Sequence, residues 1–347
     1  MANHPQEYVS QEFRRFANEE VHGASPLYEK LSLSIAQDPE MLALAAHARK
    51  GERVPNLFLA AGHFLLLNGV KHPVSRFYPT VSGAAASGED PYPEFRSFCL
   101  EYAEEIRGLV SVGMVQTNEV SRCAFSMPAF VFISRLGQDR PFYLVEIGAS
   151  AGLNLLWDHY GYRYGEVCAG GDLNSPVQIQ CALKGGGLPP IAEKFSEVAG
   201  RVGLDRMPID TRDQDAILWL QSLIWPEQVE RAELLQRALR IASENPPRLV
   251  AGDAADTLPA VLAEAPEDTT LCVFRTFTPL APRSRERIAD LCAQYGAKRD
   301  LFLLSTTGGR SIDSELKLAS FIRGVRTERI LARCHNHGRW MEWLAVS

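Results

Sequence analysis

A short turn of small residues carries the side chains with the clearest chemical potential in this sequence. An apolar run is followed by glycine, alanine and serine in the segment Tyr143-Leu-Val-Glu146-Ile-Gly148-Ala-Ser150-Ala-Gly152-Leu-Asn154. The pattern predicts a buried strand that ends near Glu146, then a tight turn, then a helix. Open α/β sheets bind ligands at the carboxyl edge of their strands, so Glu146 is placed to meet one. Gly148 and Gly152 would let the backbone approach that ligand closely.

The spacing Glu146-x-Gly148-x-x-x-Gly152 resembles the first motif of class I S-adenosylmethionine methyltransferases. In those enzymes the small residues let the methionine part of the cofactor lie against backbone. The resemblance implies that the cofactor is held by Glu146, Gly148, Ala149, Ser150, Gly152 and Asn154. A glycine pattern alone occurs in many Rossmann-like turns, so the hypothesis depends on features further along the chain.

Two acids downstream of the turn support the cofactor hypothesis. Asp205 follows a short apolar segment and resembles the carboxylate that takes both ribose hydroxyls, since two acceptor oxygens match two adjacent O–H donors. Asp253 resembles the acid that accepts a hydrogen bond from the adenine amino group, while the backbone N–H of Ala254 reaches a ring nitrogen. Asp205 can also be interpreted as a solvated loop residue, and Asp253 as a helix cap.

The same turn permits a second interpretation, because it is a Gly-x-Ser-x-Gly sequence centred on Ser150. This is the nucleophile elbow of α/β-hydrolases, and Asp253 and then His335 or His337 follow in hydrolase order. A hydrolase elbow follows several earlier strands, whereas the residues before this turn have helical patterns. Ser150 is therefore expected to line a cofactor site rather than to act as a nucleophile.

The substrate side of the predicted site is assigned to the polar start of an otherwise apolar helix. Asn118 and Arg122 are four positions apart and face the same way. Glu119 is a candidate base, and Arg122 a candidate partner for a substrate carboxylate. The alternative is that Asn118 caps the helix and Arg122 forms a salt bridge with the neighbouring domain.

The elements that position these residues change character near residue 140. Helical patterns dominate before it, including a helix capped by Asp38, one helix over 93–110 and another capped by Asn118. Strands are predicted after it at 142–147, 177–182, 201–204, 248–251, 270–274, 301–305, 329–334 and 339–346, the last two as a hairpin. The fold class is α/β: a Rossmann-like methyltransferase sheet, mostly parallel with a C-terminal antiparallel hairpin, preceded by an all-helical domain.

The predicted domains are an N-terminal helical cap at 1–138 and a Rossmann-like methyltransferase-type domain at 139–347. The interval between the turn and Asp205 exceeds the ~20 residues usual in dinucleotide folds. Residues 160–198 are therefore predicted to be an insertion, with a hairpin in it.

Composition narrows the functional classes. The chain has 347 residues, of which 46% are hydrophobic and 22% charged, as in soluble globular proteins. A net charge of −6 without a basic run argues against nucleic acid, and no apolar run is long enough for a membrane span. The beginning lacks a signal-peptide pattern and the seven cysteines are scattered, so we expect a cytoplasmic protein with reduced thiols. Cys334-His335-Asn-His337 lacks the companion ligands of a zinc site, so no metal is expected.

Several motifs together resemble the bacterial domain-of-unknown-function family 2332, from about residue 13 to residue 344. They are Ser25-Pro-Leu-Tyr28, Gln116-Thr-Asn-Glu-Val120-x-Arg122-Cys123, Val145-Glu-Ile-Gly-Ala-Ser-Ala-Gly-Leu-Asn-Leu155, Trp225-Pro-Glu-Gln228 and His337-Gly-Arg-Trp340. The resemblance implies a methyltransferase-like domain preceded by a helical part, without an established reaction. Arg275-Thr-Phe277 stands where many amino- and base-methyltransferases carry Asn/Asp-Pro-Pro-aromatic, which disfavours an amide or exocyclic amine as substrate.

The sequence thus predicts an S-adenosylmethionine-dependent methyltransferase that acts on a small molecule. The alternatives are a non-catalytic protein that binds or senses S-adenosylmethionine or a nucleoside, and a serine hydrolase that uses Ser150. The substrate, the attacked atom and the oligomeric state stay open.

Overall fold

The computed structural model of the chain describes residues 4–84, 88–192, 194–307 and 313–345. Its contacts divide the chain into two compact units. The helical unit comprises Met1–Thr117 and Asp213–Gln236, and the sheet unit comprises Asn118–Arg212 and Arg237–Ser347.

The helical unit is built from short helices around an apolar core. In chain order they are Gln6–Arg15, a π-helical turn at Phe16–Glu20, Pro26–Ile35, Pro39–Ala45, Val54–Leu67, a 3₁₀ turn at Pro73–Phe77, Pro79–Ser82, Tyr92–Glu101, Ala103–Val112, Gln214–Ser222 and Val229–Glu244, the last of which includes the division at residue 236. Their facing apolar side chains, such as Leu31, Phe58 and Phe95, are buried. The predicted helical character of the chain before residue 140 is confirmed within the described residues.

Two local predictions in this unit have different outcomes. Asp38 caps its helix as predicted, because its Oδ1 accepts hydrogen bonds from the backbone N–H groups of Glu40 at 2.9 Å and Met41 at 3.2 Å. The single helix predicted over 93–110 is wrong, because the backbone leaves helical geometry at Tyr102, where φ is −107° and ψ is 32°. The Tyr102 ring lies against Phe98, with centroids 5.1 Å apart, and two shorter helices result.

The sheet unit contains one mixed sheet. Within the described ranges its strands are β1 Phe142–Ile147, β2 Gly161–Tyr164, β3 Cys168–Gly171, β4 Gln178–Leu183, β5 Val198–Asp205, β6 Arg248–Ala251, β7 Thr270–Arg275, β8 Leu301–Thr307, β9 Asp313–Ile322, β10 Val325–His335 and β11 Trp340–Trp343. They lie in the order β3-β2-β4-β11-β10-β9-β8-β7-β1-β5-β6.

A parallel block forms the part of the sheet that carries the predicted site. Strands β6, β5, β1, β7 and β8 are neighbours in that order, and each pair is parallel. All six residues of β1 are buried, as expected for a central parallel strand covered on both faces. In the register, Glu146 lies beside Gly203 and Asp205 beside Ala251, so the carboxyl ends of β1, β5 and β6 meet at one edge.

An antiparallel block extends the sheet beyond β8. The predicted hairpin is confirmed, because β10 and β11 are antiparallel with Ala332 opposite Trp343; its predicted end at residue 346 lies outside the described residues. Strand β9 was not predicted, and it lies antiparallel between β8 and β10. The antiparallel part is therefore larger than a single hairpin.

The region between residues 160 and 198 adds further strands to the same sheet. Strands β2 and β3 form an antiparallel hairpin, with Gly161 opposite Gly171. Strand β4, which the sequence predicted, pairs in parallel with both β2 and β11. This region thereby continues the sheet at the side away from the parallel block.

Helices complete the sheet unit. They are the 3₁₀ turn Val120–Arg122, Cys123–Leu136, the 3₁₀ segment Leu153–His159, Ala254–Glu264 and Pro282–Gly296. Leu258 and Ile288 pack with strand residues such as Val145 in a buried apolar cluster. In the part of the chain that the structure describes, every helix is too short or too polar to cross a bilayer.

Candidate functional site

The carboxyl end of β1 holds a buried acid. Glu146 is 1% exposed, and its Oε1 accepts a hydrogen bond from Asn154 Nδ2 at 3.2 Å. Its Oε2 is also buried and has no hydrogen-bond partner among the described residues. Burial raises the pKa of Glu146 to about 8, although the Asn154 hydrogen bond and the charge of Arg122 act to lower it. The carboxyl is therefore mostly protonated at neutral pH.

The turn after β1 has left-handed backbone at both predicted glycines. The φ angles are 75° at Gly148 and 74° at Gly152, and Ser150 between them has a φ of 54°. A Cβ at Gly148 would collide with the side chain of Thr278, and a Cβ at Gly152 would collide with Pro247. The protein's own packing thus requires both glycines. That they also let a ligand approach the backbone stays a prediction.

Ser150 is tied to the end of β5. Its N–H donates to Asp205 Oδ2 at 2.8 Å, and its carbonyl accepts from the N–H of Ile209 at 3.1 Å. Its hydroxyl is buried and has no hydrogen-bond partner in the described ranges. A serine nucleophile is activated by an adjacent base, and none lies within hydrogen-bond distance here, which weighs against the hydrolase interpretation.

The two downstream acids lie at the ends of neighbouring strands. Asp205 Oδ1 accepts from the N–H of Met207 at 3.0 Å, so its carboxylate organises the loop that follows β5. Asp253 is the N-cap of the helix Ala254–Glu264, because its Oδ1 accepts from the N–H of Ala255 at 2.9 Å. That hydrogen bond and the Arg206 guanidinium, 3.0 Å from Oδ2, lower the pKa of Asp253. The cap interpretation is confirmed, and contacts of either acid with a cofactor stay predictions.

The polar segment 118–122, which precedes the helix Cys123–Leu136, does not have the predicted helix cap. Asn118 is not the helix cap, because its Oδ1 accepts from the N–H of Leu153 at 3.2 Å. Glu119 takes that role for the 3₁₀ turn Val120–Arg122, accepting from the N–H of Ser121 at 3.4 Å. Both side chains are buried within the sheet unit. Asn118 thereby joins this segment to the residues that follow the glycine turn.

Arg122 bridges two loops at the same edge of the sheet. Its Nη1 donates to the carbonyl of Thr276 at 3.2 Å and its Nε to the carbonyl of Asn336 at 3.1 Å. Its guanidinium also lies over the ring of Phe277, 4.7 Å from the centroid. The charge of Arg122 also acts on the carboxyl of Glu146. Together with the Asn118–Leu153 hydrogen bond, this links the segment predicted for the substrate side to the turn predicted for the cofactor.

Two residues of this cluster were not among the predicted cofactor-side or substrate-side residues, although His337 was named as a possible histidine of the hydrolase alternative. Phe277 has a φ of 56°, a left-handed conformation that is costly for a bulky residue and is often found at functional sites. Its position after a buried strand was the available sequence signal. His337 lies in the turn between β10 and β11, and its Nδ1 is 3.1 Å from Glu119 Oε2. Within the described ranges, no group of three or more His, Cys, Asp or Glu side chains could hold a metal ion.

These features define a mixed α/β protein in which neighbouring parallel strands end in acids and a buried polar cluster lies at their carboxyl edge. The chain belongs to the DUF2332 family, described as an uncharacterized protein conserved in bacteria, whose model matches residues 10–343. No curated protein and no solved structure matches the chain.

Proposed function

We propose that this protein is an S-adenosylmethionine-dependent methyltransferase that acts on a small molecule. The observation that carries the proposal is the row of acids after three adjacent parallel strands: Glu146 in β1, Asp205 at the end of β5 and Asp253 after β6. Counted along the chain, the strands of the parallel block lie in the order third, second, first, fourth, fifth. That is the order of a Rossmann-like sheet, in which ligands bind at the carboxyl edge where the order reverses, here between β1 and β7.

The residues at this edge fit such a cofactor chemically. A carboxylate oxygen can accept more than one hydrogen bond, so Asp205 can hold the Ser150 loop and also receive ribose hydroxyls. Buried polar atoms are normally hydrogen-bonded, and Glu146 Oε2 and the Ser150 hydroxyl lack partners among the described residues. A polar, positively charged ligand would satisfy both atoms and stabilise the ionised form of Glu146.

The cofactor would supply an activated methyl group, so the protein's main task is to align the acceptor. Asn118, Glu119 and Arg122 are the proposed substrate-side residues. Asn118 accepts a hydrogen bond from the N–H of Leu153, directly after Gly152, and the charge of Arg122 acts on the Glu146 carboxyl. Both observations support a substrate side close to the proposed cofactor residues.

Calorimetry with S-adenosylmethionine and S-adenosylhomocysteine tests the proposal. Asp205→Asn should weaken binding by roughly 10- to 100-fold, because hydrogen bonds to a charged group contribute about 1.5–3 kcal/mol. Asp210→Asn is the matched control. Asp210 is exposed, and its carboxylate accepts hydrogen bonds from the backbone and side chain of Arg212 in its own loop. Absence of heat at millimolar ligand with the folded protein would refute the cofactor assignment.

A second candidate is a protein that binds the cofactor without using it. The segment Arg275-Thr276-Phe277, in place of an Asn/Asp-Pro-Pro-aromatic motif, favours this candidate. Cofactor binding without formation of S-adenosylhomocysteine across a broad acceptor panel would support it. The hydrolase interpretation instead requires labelling of Ser150 by a fluorophosphonate.

A further inference from the structure

The turn between β10 and β11 brings a histidine against a buried acid. His337 Nδ1 lies 3.1 Å from Glu119 Oε2, across 218 positions of sequence. The Glu119 side chain is 3% exposed, whereas the His337 side chain is 36% exposed. One partner is therefore enclosed by protein, and the other presents part of its ring to solvent.

An ionised Glu119 would fix which nitrogen of His337 carries the proton. An ionised carboxylate only accepts hydrogen bonds, so Nδ1 must be the donor. In the neutral ring the lone pair is then on Nε2. The backbone N–H of His337 donates to His335 Nδ1 at 3.0 Å, which holds the turn in place.

The 3₁₀ turn that carries Glu119 also supports the histidine loop. Gly338 lies so close to the carbonyl of Ser121 that any Cβ there would collide with it. Arg122 Nε donates to the carbonyl of Asn336 at 3.1 Å. The segments that carry Glu119 and His337 therefore contact each other through backbone packing and a hydrogen bond as well as through the two side chains.

The pair lies at the edge of the sheet that holds Glu146. Strand β9 is antiparallel to both β8 and β10, so β10 runs in the direction of the parallel block. Its carboxyl end, His335, therefore lies at the same edge as the carboxyl end of β1. Arg122 connects the two ends, since it bonds to the His337 loop and its charge acts on Glu146.

We propose that His337 is the base that takes a proton from the methyl acceptor, and that Glu119 is a positioning residue that orients it. This inference rests on the proposed function and replaces Glu119 as the base. The acceptor class is then a weakly acidic hydroxyl or thiol. A carboxylate is already ionised at neutral pH, and a neutral amine attacks with its own lone pair, so neither needs a base.

In the proposed step, the O–H or S–H bond of the acceptor breaks and its proton goes to His337 Nε2. The electron pair left on the acceptor atom forms the new bond to the methyl carbon. With S-adenosylmethionine as the donor, the carbon–sulfur bond would break at the same time and its electron pair would stay on sulfur. Charge and atoms balance without an oxidant or a further reactant.

The first experiment needs no cofactor. Diethylpyrocarbonate labelling followed by mass spectrometry measures the reactivity of each histidine in the folded protein. Compared at pH values where the labelling rate no longer rises, so that the imidazole is neutral in both proteins, Glu119→Gln should slow the labelling of His337 several-fold, because the tautomer with its lone pair on Nε2 is no longer fixed. The matched control is Glu29→Gln, since His22 Nδ1 lies 2.9 Å from Glu29 in an exposed pair whose loss should change His22 labelling little. An unchanged rate at His337 would overturn the inference even if the cofactor binds.

The second experiment compares two acceptors with S-adenosylmethionine: phenol, which is protonated at neutral pH, and 4-nitrothiophenol, which is ionised. His337→Gln should lower turnover of phenol by roughly 10²–10⁴-fold and leave turnover of 4-nitrothiophenol nearly unchanged, because only the first needs a base. Equal losses for both acceptors contradict the base role. If neither acceptor is methylated although the cofactor binds, the labelling result decides. Failure to bind the cofactor would refute the proposed function separately.

Discussion

Replacing Glu146 by glutamine should change how the stability of the sheet unit depends on pH. Burial raises the pKa of this carboxyl from 4.5 to about 8. Because the folded-state pKa is raised, the folded protein holds the proton more tightly than the unfolded chain does. The stability that Glu146 contributes is then fully present below about pH 4.5 and is lost as pH rises to about 8. The full shift corresponds to about 5 kcal/mol.

Urea denaturation of the wild type and of Glu146→Gln across a series of pH values measures this loss. Glutamine keeps the shape of the protonated acid and the hydrogen bond to Asn154, but it cannot ionise. The difference in unfolding free energy between variant and wild type should therefore move in favour of the variant by roughly 1.4 kcal/mol per pH unit between the two pKa values. Above the folded-state pKa the difference should level off, because the carboxyl is then ionised in both states.

Glu264→Gln is the control for general effects of pH. Glu264 is an exposed acid that pairs with Arg248, and that partner lowers its pKa. This substitution should show no growing advantage as pH rises. The assignment of Glu146 as a buried protonated acid would be refuted by a flat pH profile. In that case the difference in unfolding free energy between Glu146→Gln and wild type would stay constant, within about 0.5 kcal/mol, between pH 5 and pH 8.

Two further substitutions test the packing around the site. Gly148→Ala should destabilise the sheet unit by roughly 2–4 kcal/mol in urea denaturation, since it adds left-handed strain and overpacking against Thr278. Thr278→Gly added to it should recover the overpacking part only, and full recovery would contradict the strain argument. Asp158→Ala should cost roughly 1–3 kcal/mol, because Arg201 donates to both carboxylate oxygens at 2.7 Å and both side chains are mostly buried. Asp158→Asn should cost less, and equal losses would argue against the ion pair.

The parallel block could be predicted because its strands carry their signal locally. Strand β1 is a continuous apolar run broken only by Glu146, which is what burial on both faces requires. Strand β9 has a different local pattern, because charged residues such as Lys317 alternate with buried ones such as Leu316 and Leu318. That alternation is typical of a half-buried strand, but it is not the continuous apolar run from which strands such as β1 were predicted. The position of β9 between β8 and β10 follows from two hairpins, because the three strands are consecutive in the chain and each pair is antiparallel.

In the candidate site, too, residues with a local sequence signal could be predicted, whereas a contact between distant residues could not. The positions of Asp205 and Asp253 could be predicted because Asp205 ends one apolar strand and Asp253 lies just beyond another, and the ends of parallel strands meet at one edge. The contact between Glu119 and His337 could not, because it joins residues 218 positions apart and requires the last hairpin to reach the 3₁₀ turn. The two segments were visible only as separate motifs, with no local pattern to relate them.

The two buried acids at this edge have different surroundings, and the difference indicates different tasks. Glu119 Oε1 accepts a hydrogen bond from the N–H of Ser121 and its Oε2 lies 3.1 Å from His337 Nδ1, so both oxygens have partners that the fold supplies. Among the described residues, Glu146 Oε1 accepts one hydrogen bond, from Asn154, and Oε2 has no partner. Burial raises the pKa of Glu146 to about 8. An acid that the fold leaves mostly neutral ionises when a ligand brings a cation to it. This difference supports the two proposals made above, in which Glu119 orients His337 and Glu146 meets a positively charged cofactor.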